Sequence, residues 1–226
     1  MTSITPNFNA SPPAPATPTA PSPSGSSLRP EFTVTVRPAR TPDELRSTAD
    51  LFRDYAAWLD IDLSFQSFEA ELASLPGKYA PENGGEILLA YLSDEEAEGQ
   101  QPIGCIALRD ITGVVEALRR STQQHRRTGE FKRLYVLPTG RSLGVGSALV
   151  ERALQVARDQ GYAEVLLDTL PRMQGALKLY RRHGFTETEK YYDTDLEGTI
   201  FMSCSTWHNV TAAQLQNTKC VSFDAD

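Results

Sequence analysis

Residues 131–160 read as a strand, a glycine-bearing turn and a helix, and no other stretch narrows the fold as far. Phe131 to Val136 is a strand, and Pro138-Thr139-Gly140 is a turn. Residues 142–160 form a helix with Val145, Leu149, Ala153 and Val156 along one face and Gly161 as its stop. The junction carries Arg141-Ser142-Leu143-Gly144-Val145-Gly146-Ser147. A strand that runs through glycines into a helix start presents unpaired N–H groups and the positive end of the helix dipole. Glycine lets that backbone approach an anion with no Cβ in the way, so a phosphate is the natural guest. Two other phosphate cradles fail. A P-loop requires Gly-Lys-Ser/Thr, and this stretch has no lysine; a dinucleotide fingerprint requires a third glycine at position 149, which is Leu149.

The flanking sequence alternates between strand and helix patterns. Residues 32–37 alternate as a strand should, and Thr41-Pro42-Asp43-Glu44 opens a helix with a cap and an N-terminal proline. A short helix from Phe65 to Leu75 ends at Pro76-Gly77. Glu86 to Leu92 and Ile103 to Leu108 are two apolar runs around an acidic loop, which predicts an antiparallel hairpin. Residues 110–129 interrupt the pattern. Val114, Val115 and Leu118 space as one or two helical turns, and Arg119, Arg120, His125, Arg126 and Arg127 follow as a solvated basic loop or, in a sharper reading, a patch for an acidic ligand. Val165 to Leu170 is a largely apolar strand, as in a sheet buried on both faces. Pro171 begins a helix that ends at Gly184, and Phe185 to Tyr192 with Thr199 to Cys204 form a final hairpin. The predicted order is β-α-α-β-β-β-α-β-α-β-β, an α/β (α+β) domain.

Composition bounds the function classes. Residues 1–30 hold 8 of the 15 prolines, 10 Ser/Thr and one charge, Arg29, and read as a disordered tail. The remaining 196 residues suit a single core, read as a domain over 31–206 followed by an extension over 207–226. A net charge of −7 argues against a general nucleic-acid binder. No apolar run approaches the ~18–20 residues of a membrane span, and no secretory signal is visible. Three scattered cysteines and three histidines form neither a disulfide framework nor a metal-binding spacing, so a reducing, cytoplasmic setting without a metal is expected.

Three segments together resemble the GNAT acyltransferase superfamily: Phe131 to Pro138, then Arg141-x-x-Gly144-x-Gly146, then Leu179-Tyr180-x-x-x-Gly184-Phe185. Phe65-Gln66 and Leu75-Pro76-Gly77-Lys78-Tyr79-Ala80-Pro81 are further similar to small uncharacterised GNAT proteins of microbes and fungi. The resemblance implies a mixed, mainly antiparallel sheet of about seven strands with about four flanking helices, splayed between its fourth and fifth strands. It implies acetyl-CoA as co-substrate, with the pyrophosphate on Arg141, Ser142, Leu143, Gly144, Val145, Gly146 and Ser147, and the Ser147 hydroxyl as an added donor. The pantetheine arm then pairs with the backbone of Leu134, Tyr135 and Val136. Many relatives carry an asparagine before the Leu-Tyr helix, and residues 169–175 here have none.

Acetyl transfer to an amine requires a neutral amine, a stabilised oxyanion and a proton for the leaving thiolate. By the resemblance, Glu130, 11 residues before Arg141, stands at the place of a carboxylate base. Tyr180 stands at that of the acid, and a backbone N–H near Val136 serves the oxyanion. A small-molecule amine is the expected acceptor, and Tyr55, Phe65, Tyr79, Tyr191 and Tyr192 are candidates to line its pocket. A protein N-terminus or lysine, or a module that binds acyl-CoA without catalysis, are the alternatives. A monomer or homodimer is expected.

Overall fold

The computed structural model describes residues 33–61, 67–93, 100–119, 126–194 and 196–206. The tail, the C-terminal extension, Phe65 and His125 lie outside them. Chain order runs β1 (Thr33–Pro38), α1 (Pro42–Leu59), α2 (Phe68–Ala73), β2 (Glu86–Ser93), β3 (Gly104–Asp110) and α3 (Thr112–Arg119). It continues with β4 (Thr128–Val136), α4 (Val145–Asp159), β5 (Glu164–Thr169), α5 (Gln174–Arg182), β6 (Thr186–Glu187) and β7 (Ile200–Ser205). The strands form one sheet in the order β1-β2-β3-β4-β5-β7-β6. Every pairing is antiparallel except β4 with β5. Among the described residues no helix is long and apolar enough to cross a membrane.

Local chemistry starts the first helix where the sequence places it. The Thr41 hydroxyl accepts from the Glu44 N–H at 3.2 Å, and the Glu44 carboxylate accepts from Thr41 N at 2.9 Å and from Arg40 N at 2.8 Å. Leu51, Phe52 and Leu59 then bury one stripe of α1 against the sheet face that carries Leu89, Cys105 and Tyr135. The opposite face is covered by α4, whose Leu149, Val150, Ala153 and Ala157 pack with Leu88, Ile106, Phe131 and Leu167. Both faces are therefore dry, which is why β2, β3 and β5 read as continuous apolar runs.

The irregularity that matters lies in β4. Cys105 faces Tyr135 on one side and Ala107 faces Lys132 on the other, a one-residue slip, and Arg133 at the slip has φ 58. This bulge turns the strand. Parallel pairing with β5 covers only Thr128↔Glu164, Gly129↔Val165 and Glu130↔Leu166, although β4 continues to Val136 and β5 to Thr169. The two strands part beyond Glu130.

Several elements differ from expectation, among them β4, which begins at Thr128 where the sequence predicts the strand from Phe131. The Val114–Leu118 pattern lies in α3, about the two turns expected there, and brings the α-helices among the described residues to five against the expected four. The fourth helix begins at Val145, because Ser142 and Gly144 take left-handed backbone, with φ 66 and 82. The fifth begins at Gln174, since residues 171–172 form a turn first. The penultimate strand shrinks to Thr186–Glu187 because Tyr191 and Tyr192 leave the ladder to pack edge-on against Phe201, with ring centroids 5.2 Å apart.

Candidate active site

Where β4 leaves β5, a cleft of about 720 Å³ opens between β4, the turn after it and α5. Nine of the ten expected cofactor-binding residues line it: Leu134, Tyr135, Val136, Arg141, Ser142, Gly144, Val145, Gly146 and Ser147. Leu143 does not; its side chain turns outward and is 41% exposed. Gly144, the N-cap of α4, has no side chain with which to cap the first turn, and among the described residues its N–H groups are left uncapped at the cleft. A Cβ built on Gly144 meets nothing within 4 Å, whereas one on Gly146 lies 3.2 Å from Leu179 Cδ2. The wall contributed by α5 and the turn before it adds Arg172, Lys178 and Arg182, and Arg141 lies over the Trp58 ring at 5.4 Å. An uncapped helix end, open space at a glycine and four cations have the chemistry that a multiply charged phosphate ligand requires.

A second cavity of about 40 Å³ adjoins the cleft, the two sharing Leu134 and Met173. Its walls include Tyr55, Lys132, Asp168, Thr169 and Tyr180. Burial pushes the Tyr180 phenol above its ordinary range, and Tyr55 and Asp168 nearby add to the shift. The ring packs on Phe185 at 5.6 Å. No hydrogen bond to its hydroxyl is made among the described residues, and burial keeps the phenol protonated beside the cavity that it lines.

Glu130 has a different setting from the one expected of it. It is 0% exposed and lines neither cavity. Its carboxylate takes the Arg109 guanidinium and the Tyr191 hydroxyl (2.8 Å), with the Lys132 ammonium at 3.6 Å. A buried carboxylate costs several kcal/mol unless so partnered. The Ser147 hydroxyl, in the cleft lining, also lies 2.8 Å from His183 Nε2, and the imidazole tautomer decides which of the two donates. Of the aromatic set, Tyr55 lines the small cavity, whereas Tyr79 is fully buried and donates to Glu71 at 3.0 Å. Tyr191 is spent on Glu130. Cys105 is a sealed thiol: burial raises it well above its normal range, and it donates to Arg133 O at 3.3 Å.

The model of the acetyltransferase (GNAT) family matches residues 48–185, more than half of the chain. The chain belongs to the GNAT acetyltransferase family. An uncharacterised N-acetyltransferase of Dictyostelium discoideum is 32% identical over 189 residues, covering 63% of this chain and 85% of its own length. One of Schizosaccharomyces pombe is 30% identical over 169 residues, covering 75% of this chain and 93% of its own. Among solved structures, the NatC complex bound to Gag peptide and CoA contains a similar chain. Its TM-score is 0.54 at 21% identity, covering 76% of this chain and 98% of that one. This GNAT protein is accordingly an N-acetyltransferase, and its mixed seven-stranded sheet is the family's fold.

Sequence reasoning on this acetyltransferase missed four residues. Arg172, Lys178 and Arg182 are scattered along a helix and the turn before it, with no glycine motif to flag them. Asp168 did leave a signal, as the one carboxylate inside the apolar run Val165-Leu166-Leu167-Asp168-Thr169-Leu170. A charge placed in such a strand requires a partner, and Lys132 supplies one at 2.7 Å.

Proposed function

We propose that this GNAT acetyltransferase moves an acetyl group from acetyl-CoA directly to the primary amine of a small molecule. The observation that carries this reading is the small cavity beside the cleft, which meets it at Leu134 and Met173 and is walled by Tyr55, Asp168 and Tyr180. Acetyl-CoA supplies an activated thioester. The uncapped end of α4 and the cations of the cleft hold its phosphates, with Gly144 and Gly146 keeping the backbone bare. The edge of β4 released by the splay offers the backbone of Leu134, Tyr135 and Val136 to an extended arm, and an N–H near Val136 to the developing oxyanion. Tyr180, neutral through burial, gives its proton to the departing sulfur. A thiolate in the same dry site is itself raised by desolvation, and that drives a transfer which a raised phenol would resist in water.

A small enclosed volume suits an amine head group better than a peptide, which requires a groove. The similarity to the NatC complex, which holds a peptide, keeps protein acetylation as the second reading. Purified protein, acetyl-CoA and a library of small amines and peptides, followed by thiol release, tests both. Release with small amines and not with peptides is expected; release only with peptides exchanges the two readings.

A further inference from the structure

Among the described residues, one carboxylate lines the cavity next to the cleft. Asp168 sits near the end of β5, beyond the last paired residues of the splay, and lines this cavity together with Tyr180. Glu130, the acid that the family resemblance selects, is sealed and fully occupied. Asp168 keeps its side chain 20% exposed, and its Lys132 partner also stands 3.6 Å from Glu130. Lys132 therefore keeps a counter-charge when Asp168 turns to a new cation. The groups that face Asp168 are Lys132 from β4, Tyr180 from α5, Tyr55 from α1, and Tyr191 and Tyr192 from the segment before β7.

We infer that Asp168 receives the acceptor amine: it binds the ammonium form and takes its proton. An N–H bond of the ammonium breaks, the proton passes to a carboxylate oxygen and on to solvent, and the nitrogen lone pair is freed. As the C–N bond forms and the C–S bond breaks, a second proton passes from nitrogen to the Asp168 carboxylate, free again once the first has gone to solvent. Tyr180 gives its proton to sulfur and recovers one from solvent, so one proton is released per turnover. Asp168 thus selects primary alkylamines, and Glu130 is a positioning residue that shares Lys132 with it. The proton-transfer part of this inference rests on the acetyl-transfer reading, whereas the binding part does not.

The test uses the full chain with n-butylamine as probe, comparing wild type with Asp168→Asn and Asp168→Glu. Saturation-transfer NMR in the presence of CoA is expected to show binding by wild type and by Asp168→Glu. Asp168→Asn should bind at least about tenfold more weakly, as a lost charge-assisted contact does, while calorimetric affinity for acetyl-CoA stays within about twofold. In turnover, kcat/KM of Asp168→Asn should fall by about 10²–10⁴ near pH 7, and the gap should narrow as the pH nears the amine's own pKa, where no base is required. Three results overturn the inference: wild type that does not bind n-butylamine, an Asn variant that binds it equally, or one that loses acetyl-CoA as well. A wild type that binds n-butylamine but releases thiol with no amine overturns the acetyl-transfer reading instead.

Discussion

Tyr180 combines two contributions in one side chain, and they can be separated. Its ring belongs to the core with Phe185, Leu177 and Phe131, while its hydroxyl meets the cavity. Tyr180→Phe keeps the first and deletes the second. Turnover with the best acceptor should fall by about 10²–10⁴, with acetyl-CoA affinity nearly unchanged. Stopped-time thiol assays beside calorimetry check it, and a folded variant within a few-fold of wild type would return the sulfur's proton to water. At this scale the sequence is readable where a motif fixes a residue's place, as Leu179-Tyr180 does. It is unreadable where partners arrive from elsewhere in the chain. Glu130 reads as an accessible strand-end acid, and only the fold brings Arg109 from β3 and Tyr191 from the segment before β7 onto its oxygens. Ser147 reads as a free hydroxyl until α5 ends with His183 beside it.

At the scale of elements, the glycine turn and α4 were foreseeable because every cue is local: an uncapped start, small residues and a periodic apolar face. The two glycines nonetheless differ in a way spacing cannot reveal. A Cβ on Gly146 presses on Leu179, so enlarging it disturbs α4 against α5 as well as the cleft. Gly144 faces open space at φ 82 and is the cleaner probe. Gly144→Ala should cost only about 1–2 kcal/mol of stability, the penalty for a Cβ in left-handed backbone. Acetyl-CoA affinity should fall about tenfold or more, because the added methyl enters the space offered to the anion. Calorimetry together with a thermal melt decides this, and unchanged affinity in a folded protein would remove the turn from the binding site. The bulge at Arg133 had no local cue. Its left-handed residue is an arginine, not a glycine, and what holds it lies 62 residues away.

That distant holder is Glu71, and through it the whole molecule supports the splay. Arg133 reaches from the bulge to the Glu71 carboxylate on α2 at 2.9 and 3.2 Å, and both side chains are almost completely buried. Lys78 adds a contact at 2.6 Å and Tyr79 one at 3.0 Å. Burial alone would raise this carboxyl, but the Arg133 and Lys78 cations more than offset it and hold it at about 2 instead of the ordinary 4.5. Between those two values the unfolded chain binds a proton at Glu71 that the folded chain does not. Its stabilisation is therefore complete above about pH 4.5 and is lost as the pH falls toward 2. Glu71→Gln leaves Arg133 buried without its counter-charge, a loss of about 3–5 kcal/mol at neutral pH. It should lower the melting temperature on the order of 10 °C and weaken acetyl-CoA binding, since the bulge that parts β4 from β5 loses its anchor. The variant has already given up the titrating contact, so its stability should also vary less than that of wild type between pH 4.5 and 3. Denaturant titrations of both proteins at pH 7, 4.5 and 3 measure this. Parallel pH curves would mean that other carboxylates, such as Glu44 and Asp110, whose pKa values are also lowered, carry the acid sensitivity and that the clamp on the bulge does not.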